Sequence, residues 1–137
     1  MKSNASEAQK VVNLINPIAM GAGTTTGTGI DCQGFEEALI VLAAGVVPSN
    51  GTLDVKIQES DSLGSGYSDI TLAAFVQVTA ATQSLSYVGR LNLVGRKRYI
   101  RAIAVGVNQT IPLYVMAVLS APKTAPVSQI NTAAFNL

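Results

Sequence analysis

The stretch that decides the fold is "TLDVKIQES", Thr52–Ser60. Leu53, Val55 and Ile57 alternate with Asp54, Lys56 and Gln58, so an extended backbone sends the apolar set to one side and the polar set to the other. This is the period of a half-buried strand. Just before it, "PSNG" (Pro48–Gly51) is a strong turn signal. Just after it, "DSLGSGYSD" (Asp61–Asp69) is a polar, glycine-rich loop.

Working outward, the same punctuation divides the whole chain. "KVVNLINP" (Lys10–Pro17) ends at a proline, and "GAGTTTGTGIDCQG" (Gly21–Gly34) is a loop leading into a Thr-rich strand. "FEEALIVLAAGVVP" (Phe35–Pro48) predicts a long strand with an apolar centre. Its uncharged run, Ala38–Val47, is half the roughly 20 residues a membrane helix needs. "ITLAAFVQVTAAT" (Ile70–Thr82) is ambiguous, its alanines permitting a short helix and its Thr and Val preferring a strand. "SLSYVGRLNLV" and "RYIRAIAVGV" predict two strands around a hairpin turn at Gly95, and "TIPLYVMAVLSAP" predicts the last strand, closed by Pro122 and Pro126.

Seven or eight short strands with no sustained helical period describe an all-β, antiparallel two-sheet sandwich or a barrel. In "YIRAIAV", Ile100, Ala102 and Ala104 line one face, while Ile103 and Val105 accompany Tyr99 and Arg101 on the other. Strands apolar on both sides suit a sheet covered by a second sheet and by a neighbouring subunit. The expected organisation is a single domain, with a core at about residues 10–121, an N-terminal arm at 1–9 and a C-terminal tail at 122–137.

Composition points the same way. Charged residues make up 12% of the 137, about half the usual share, with a formal net charge of +1. So little charge suggests that other subunits cover part of the surface; a stable sheet protein with an uncharged polar surface is the alternative. Cys32 is the only cysteine, which precludes an intramolecular disulfide and leaves a buried, inert thiol as the expectation. The first ten residues lack the apolar run of a signal peptide, so synthesis in the cytoplasm is expected.

Candidate chemistry is sparse. With no histidine, the Ser-His-Asp and Cys-His arrangements cannot be built, and the commonest metal ligand is missing. No catalytic, cofactor or metal residues are expected, and a non-enzymatic role follows. "ESDSLGSGYSD" lacks the residue order of a calcium loop, and "GAGTTTG" lacks both the dinucleotide spacing and a following helix. The notable concentration is "GRLNLVGRKRYIRAIAV" (Gly89–Val105), holding Arg90, Arg96, Lys97, Arg98 and Arg101, five of nine basic residues. Three readings are open for it: a solvated hairpin turn, a docking surface for an acidic protein partner, or a nucleic-acid patch. Nucleic acid is disfavoured by the near-neutral chain and the scarcity of aromatics beside the cluster. Arg101, mid-strand among apolar residues, is expected to need a carboxylate within the sheet or across an interface.

Taken together, these stretches carry a family resemblance. The order "TTTGTGIDCQGFEEALIVLAAG", "NGTLDVKIQESDSLGSGYSDI", "SYVGRLNLVGRKRYIRAIAVGV" and "IPLYVMAVLSAPKTAPV" resembles the small β-sandwich proteins that decorate or cement tailed-bacteriophage capsids. The motif residues are Gln58, Ser60, Asp61, Tyr67 and Asp69 in one segment, and Gly95 with Lys97–Arg101 in the other. The chain departs from the pattern in having Tyr67 where a tryptophan often stands, and residues 72–84 do not match it. The resemblance implies a jelly-roll-like sandwich on the capsid surface of the virion. Its partners would be the major capsid protein and its own copies, as a homotrimer, with no nucleic acid and no membrane. The N-terminal arm and C-terminal tail would lie across neighbours. Arg96, Lys97, Arg98, Tyr99 and Arg101 are the candidate partner-interface residues. A tail or head–tail junction subunit of similar fold is the nearest alternative, and a carbohydrate- or receptor-binding sandwich, which needs an exposed aromatic platform, is a further one.

Overall fold

The computed structural model describes residues 5–108 and 110–128. The remaining parts of the expected terminal arms, 1–4 and 129–137, lie outside the described residues. A short helix α1 (Ala5–Ala8) is followed by strands β1 (Lys10–Met20), β2 (Gly23–Thr26), β3 (Ile30–Asp31), β4 (Phe35–Ala44) and β5 (Thr52–Ser60). The chain continues through β6 (Ser68–Ala74), β7 (Val78–Thr79), β8 (Ser86–Asn92), β9 (Tyr99–Val107) and β10 (Ile111–Pro122). The predicted alternation is realised in β5, where Leu53, Val55 and Ile57 are buried and Asp54 is exposed.

Two antiparallel sheets form, one in the order β1-β10-β4-β8 and the other β2-β9-β5-β6, with β3 added to β9 and β7 to β5. The pairings β1–β10, β2–β9, β4–β8 and β5–β6 are those of one long hairpin folded back on itself, its tip between β5 and β6. Rolling that hairpin places successive strand pairs in opposite sheets, which is a jelly roll. The all-β two-sheet sandwich expected from the sequence is the fold observed.

The core lies between the sheets. Ala38, Ile40, Leu42, Val115, Ala117 and Leu119 of one sheet face Leu53, Val55, Ile57, Ile100, Ala102 and Ala104 of the other, all essentially inaccessible to solvent. Each buried Val, Leu or Ile contributes about 1.5–3 kcal/mol relative to exposure, which is how a chain with so few aromatics holds together. Small alanines at Ala38, Ala102, Ala104 and Ala117 leave room for the larger side chains to interdigitate.

The structure corrects one local expectation and decides one that the sequence leaves open. The Gly95 turn is not a hairpin: β8 pairs with β4, whereas β9 pairs with β5 in the other sheet. The chain crosses between sheets there, so Leu91 and Leu93 enter the core from one side and Ile100 and Ala102 from the other. Gly95 takes φ +78°, and the Arg96 N–H donates to Leu93 O at 3.1 Å. Residues 70–82 hold no helix; they form the end of β6 and the two-residue β7, with Ile70 and Val78 buried. Between Asp69, paired with Gln58, and Ala74, paired with Lys56, β6 bulges outward and carries Leu72 at φ +65°.

The outer faces are also partly apolar. Ile103 is buried on the outer side of β9, and Leu39, Val41, Met116 and Val118 are half-buried on the outer side of the other sheet. Of the expected tail, Lys123 N–H donates to Gly34 O at 2.8 Å and Val127 N–H to Glu7 O at 3.0 Å.

Candidate interaction surfaces

Of the motif residues, Gln58, Tyr67, Asp69 and Arg101 meet on the outer face of the β2-β9-β5-β6 sheet, while Ile100 is buried in the core. Gln58 stands opposite Arg101 and Ser60 opposite Tyr99 in the β5–β9 register. Side chains two apart on a strand share a face, so Lys56 and Gln58 project together with Arg101 and Tyr99. Lys56 Nζ donates to Asp69 at 2.7 Å, Gln58 Nε2 donates to the other oxygen of Asp69 at 2.7 Å, and Gln58 Oε1 accepts from Arg101 Nε at 2.8 Å. Arg101 then lays its guanidinium 4.0 Å from the centroid of the Tyr67 ring. One polar ladder therefore spans three strands and the hairpin tip.

The tip itself is folded by Ser60, a polar side chain buried at the end of β5. Its hydroxyl donates to Ser65 O and accepts from Ser62 N–H at 3.0 Å, closing the loop into a compact turn. Tyr67 Oη donates to Leu63 O at 2.9 Å, pinning the ring beneath Arg101. Gly29 makes this placement possible, because a Cβ there would collide with Tyr67 Oη. Burial raises the Tyr67 phenol above its ordinary pKa of 10.0, with the Arg101 charge opposing it.

The five basic residues are distributed among acids rather than gathered into one field. Arg90 pairs with Glu37 at 2.8 Å, Arg96 with Glu59 at 3.5 Å, Lys97 with Asp61 at 3.8 Å, and Arg98 with both oxygens of Asp31 at 3.0 and 2.8 Å. Glu59 also accepts from the Lys97 backbone N–H at 3.2 Å. Within the sheet, Arg101 has no carboxylate partner of the kind the sequence suggests: its partners are the Gln58 amide and the Tyr67 ring, and among the described residues no carboxylate is within 4.0 Å. The physical reason is partial solvent access, which lets a polarised ring and one amide suffice where full burial would demand an anion. Of the candidate interface residues, Arg96 and Arg98 are exposed, and Lys97, Tyr99 and Arg101 are half-buried.

The Arg98 hydrogen bonds hold the Asp31 carboxyl below its ordinary pKa of 3.8, partly opposed by burial. Lys56 and Gln58 do the same for Asp69. Cys32 is buried, and that burial, reinforced by the Asp31 charge, pushes its thiol up to about 12. Among the described residues no group of three or more His, Cys, Asp or Glu side chains is placed to hold a metal ion. Nor, among the described residues, is any helix long and apolar enough to cross a membrane.

The tyrosines do not gather into a platform. Tyr67 and Tyr99 each lie against an arginine, Tyr87 donates to Thr82 O at 2.6 Å, and Tyr114 donates to Asn13 Oδ1 at 2.8 Å on the opposite sheet. The cross-strand ladder is not readable from the sequence alone. Its signal was available in the period-2 placement of Lys56, Gln58, Tyr99 and Arg101, but pairing β5 with β9 requires the topology.

No protein-family model and no curated protein sequence matches the chain. Among solved structures, the chain is similar to the one titled "Crystal structure of SPBc2 prophage-derived protein YomS", with a TM-score of 0.56 and 9% sequence identity. The match covers 84% of this chain and 95% of that one, so the likeness is one of fold over nearly the whole domain.

Proposed function

We propose that this protein is a structural subunit of a tailed-phage particle, bound to the outer surface of the assembled capsid, where it bridges neighbouring capsid subunits and stabilises the shell. The observation that carries this reading is the Gln58–Arg101–Tyr67 ladder. The two segments in which the chain resembles capsid decoration proteins lie about forty residues apart, yet they meet as cross-strand neighbours in one interlocked unit. The whole-domain fold likeness to a prophage-derived protein supports the phage setting.

In this role the protein is not an enzyme, and its work is surface burial repeated over many copies. Small contacts to several neighbours act together, so avidity supplies the hold. Its partners are the major capsid protein and further copies of itself, arranged as a homotrimer. The ion pairing of Arg90, Arg96, Lys97 and Arg98 disfavours nucleic acid, because paired cations release few counterions from a phosphate backbone.

The test is to mix the purified protein with empty, expanded shells of its phage. Co-sedimentation at many copies per shell, with a raised shell disruption temperature, is the expected result. A single ring of copies at one vertex would assign it to the head–tail junction instead.

A further inference from the structure

Charge is distributed along this chain in blocks. No Lys, Arg, Asp or Glu occurs in residues 11–30, 38–53, 70–89 or 102–122. The jelly roll brings the middles of all four blocks to one end of the sandwich: the β1–β2 turn, the β4–β5 link, the β7–β8 link and the β9–β10 link. The opposite end gathers Asp31, Glu36, Glu59, Asp61, Arg96 and Arg98. The molecule is therefore polarised, with one charged end and one that carries none.

The uncharged end is also cross-braced. Val47 N–H donates to Gln83 Oε1 at 2.7 Å, Ser84 N–H to Gly45 O at 3.1 Å, Gly45 N–H to Pro112 O at 2.9 Å, and Asn108 Nδ2 to Asn50 O at 2.8 Å. These bonds tie the β4–β5 link to both of the other long links. They also hold Asn50, Ser84 and Asn108 in left-handed backbone conformations, at φ 65°, 57° and 70°. Three left-handed turns, held by hydrogen bonds that cross between links, pre-organise this surface. From it project Val46 and Leu85, 61% and 53% exposed, and beside them runs an open apolar groove formed by Ile18, Pro112 and Tyr114.

We infer that this uncharged end is the face the protein sets against the capsid, and that it docks on a neutral protein surface, leaving the charged end in solvent. The inference rests on the reading under Proposed function and adds the orientation. Interface centres are depleted of charge because burying an ion costs free energy unless it is paired. The four links at this end carry no ion to desolvate; the nearest charge is Asp54, two residues into β5 and bonded to Gln77 at 2.9 Å. Docking through the other end would dehydrate Asp31, Arg96, Arg98 and their partners. An uncharged end also offers nothing to attract phosphates, anionic lipid or an oppositely charged protein, and the exposed Val46 and Leu85 beside the Ile18–Pro112–Tyr114 groove supply the apolar area that a neutral protein surface complements.

Val46 and Val94 provide a matched test, being 61% and 66% exposed at opposite ends. Shell binding is measured for Val46→Asp, Val46→Lys, Leu85→Asp and Val94→Asp, with melting curves confirming that each folds and sedimentation velocity reporting self-association. The expected result is at least about tenfold weaker shell binding for both Val46 variants and Leu85→Asp, and a change within about twofold for Val94→Asp. Loss with Val94→Asp alone, or unchanged binding for all four, overturns the orientation. Weakening by only one sign of charge at Val46 overturns the neutral partner. Loss of self-association with shell binding intact would make this end a contact between copies, and also overturns it. If the unmodified protein binds no shells, the underlying reading fails and the orientation falls with it.

Discussion

Arg101 lies 4.0 Å above the Tyr67 ring while its Nε donates to Gln58 at 2.8 Å, joining the hairpin tip to the central strand of its sheet. A guanidinium so placed is flat on one partner and directional toward the other, a geometry that a lysine ammonium cannot reproduce. Arg101→Ala is therefore expected to destabilise the protein by about 1–2 kcal/mol. Arg101→Lys should recover less than half of that. Lys97→Ala, which removes an exposed pair at 3.8 Å, should stay within about 0.5 kcal/mol of the parent. Urea denaturation of the three variants decides this; equal small effects would make Arg101 an ordinary surface charge.

The position of Tyr67 depends on a residue far away in sequence. A side chain at Gly29 would collide with Tyr67 Oη and crowd Cζ at 3.1 Å and Leu63 O at 3.2 Å. Gly29→Ala should cost about 1–3 kcal/mol by forcing the ring off its Arg101 contact. Combining it with Tyr67→Phe, which deletes the colliding oxygen, should cost less than the sum of the two single changes. A double-mutant cycle reads the coupling, and strict additivity would show that the ring and Gly29 do not interact.

Acid stability should depend on Asp31. Its folded-state pKa lies below the ordinary 3.8, so the carboxylate contributes stability that is fully present above that value and is lost as pH falls through the lower, folded one. Asp31→Asn should lower the urea midpoint at pH 7, and the gap between variant and parent should close below about pH 4. The pair is largely exposed, with side chains 45% and 47% accessible, so salt should narrow the same gap. A gap independent of pH would mean that the substitution acts through packing alone.

Much of this fold was legible because period 2 is a local property. The run Thr52–Ser60, the long strand Phe35–Ala44 and the punctuation between them place side chains on faces without any tertiary information. What period 2 does not carry is sheet membership. Gly95 and the Asn50–Gly51 turn have the local chemistry of hairpin turns, yet both redirect the chain from one sheet to the other. The choice is made by Leu91, Leu93 and Ile100, which gain more burial facing one another across the core than lying side by side. The basic cluster was legible as a concentration but not as ion pairs. Its acids, Asp31, Glu37, Glu59 and Asp61, come from three other segments of the chain. Arg101 illustrates the same limit, since a ring and an amide are partners that no local pattern announces.

Cys32 gives a direct probe of opening. Its thiol is buried and pushed up to about 12, so at pH 8 it is both protonated and shielded. A thiol-reactive dye should leave the native protein unlabelled at pH 8 and react at once in denaturant. Labelling under native conditions should then track the unfolding equilibrium, and destabilising changes such as Gly29→Ala should speed it. Fast labelling of the native parent would mean that the strand end at Ile30–Asp31 opens locally.

Leu72 is an apolar side chain in the wrong place for stability. It is 96% exposed and sits at φ +65° in the β6 bulge, where a Cβ crowds the following carbonyl. Nothing is recovered by burial, so the backbone strain is uncompensated within the monomer. Asparagine tolerates this conformation better, because its short polar side chain bonds locally. Leu72→Asn is expected to stabilise the protein by about 0.5–1 kcal/mol, read as an upward shift of the urea midpoint with unchanged slope. A fall in the midpoint would show that the leucine makes contacts that stabilise the bulge.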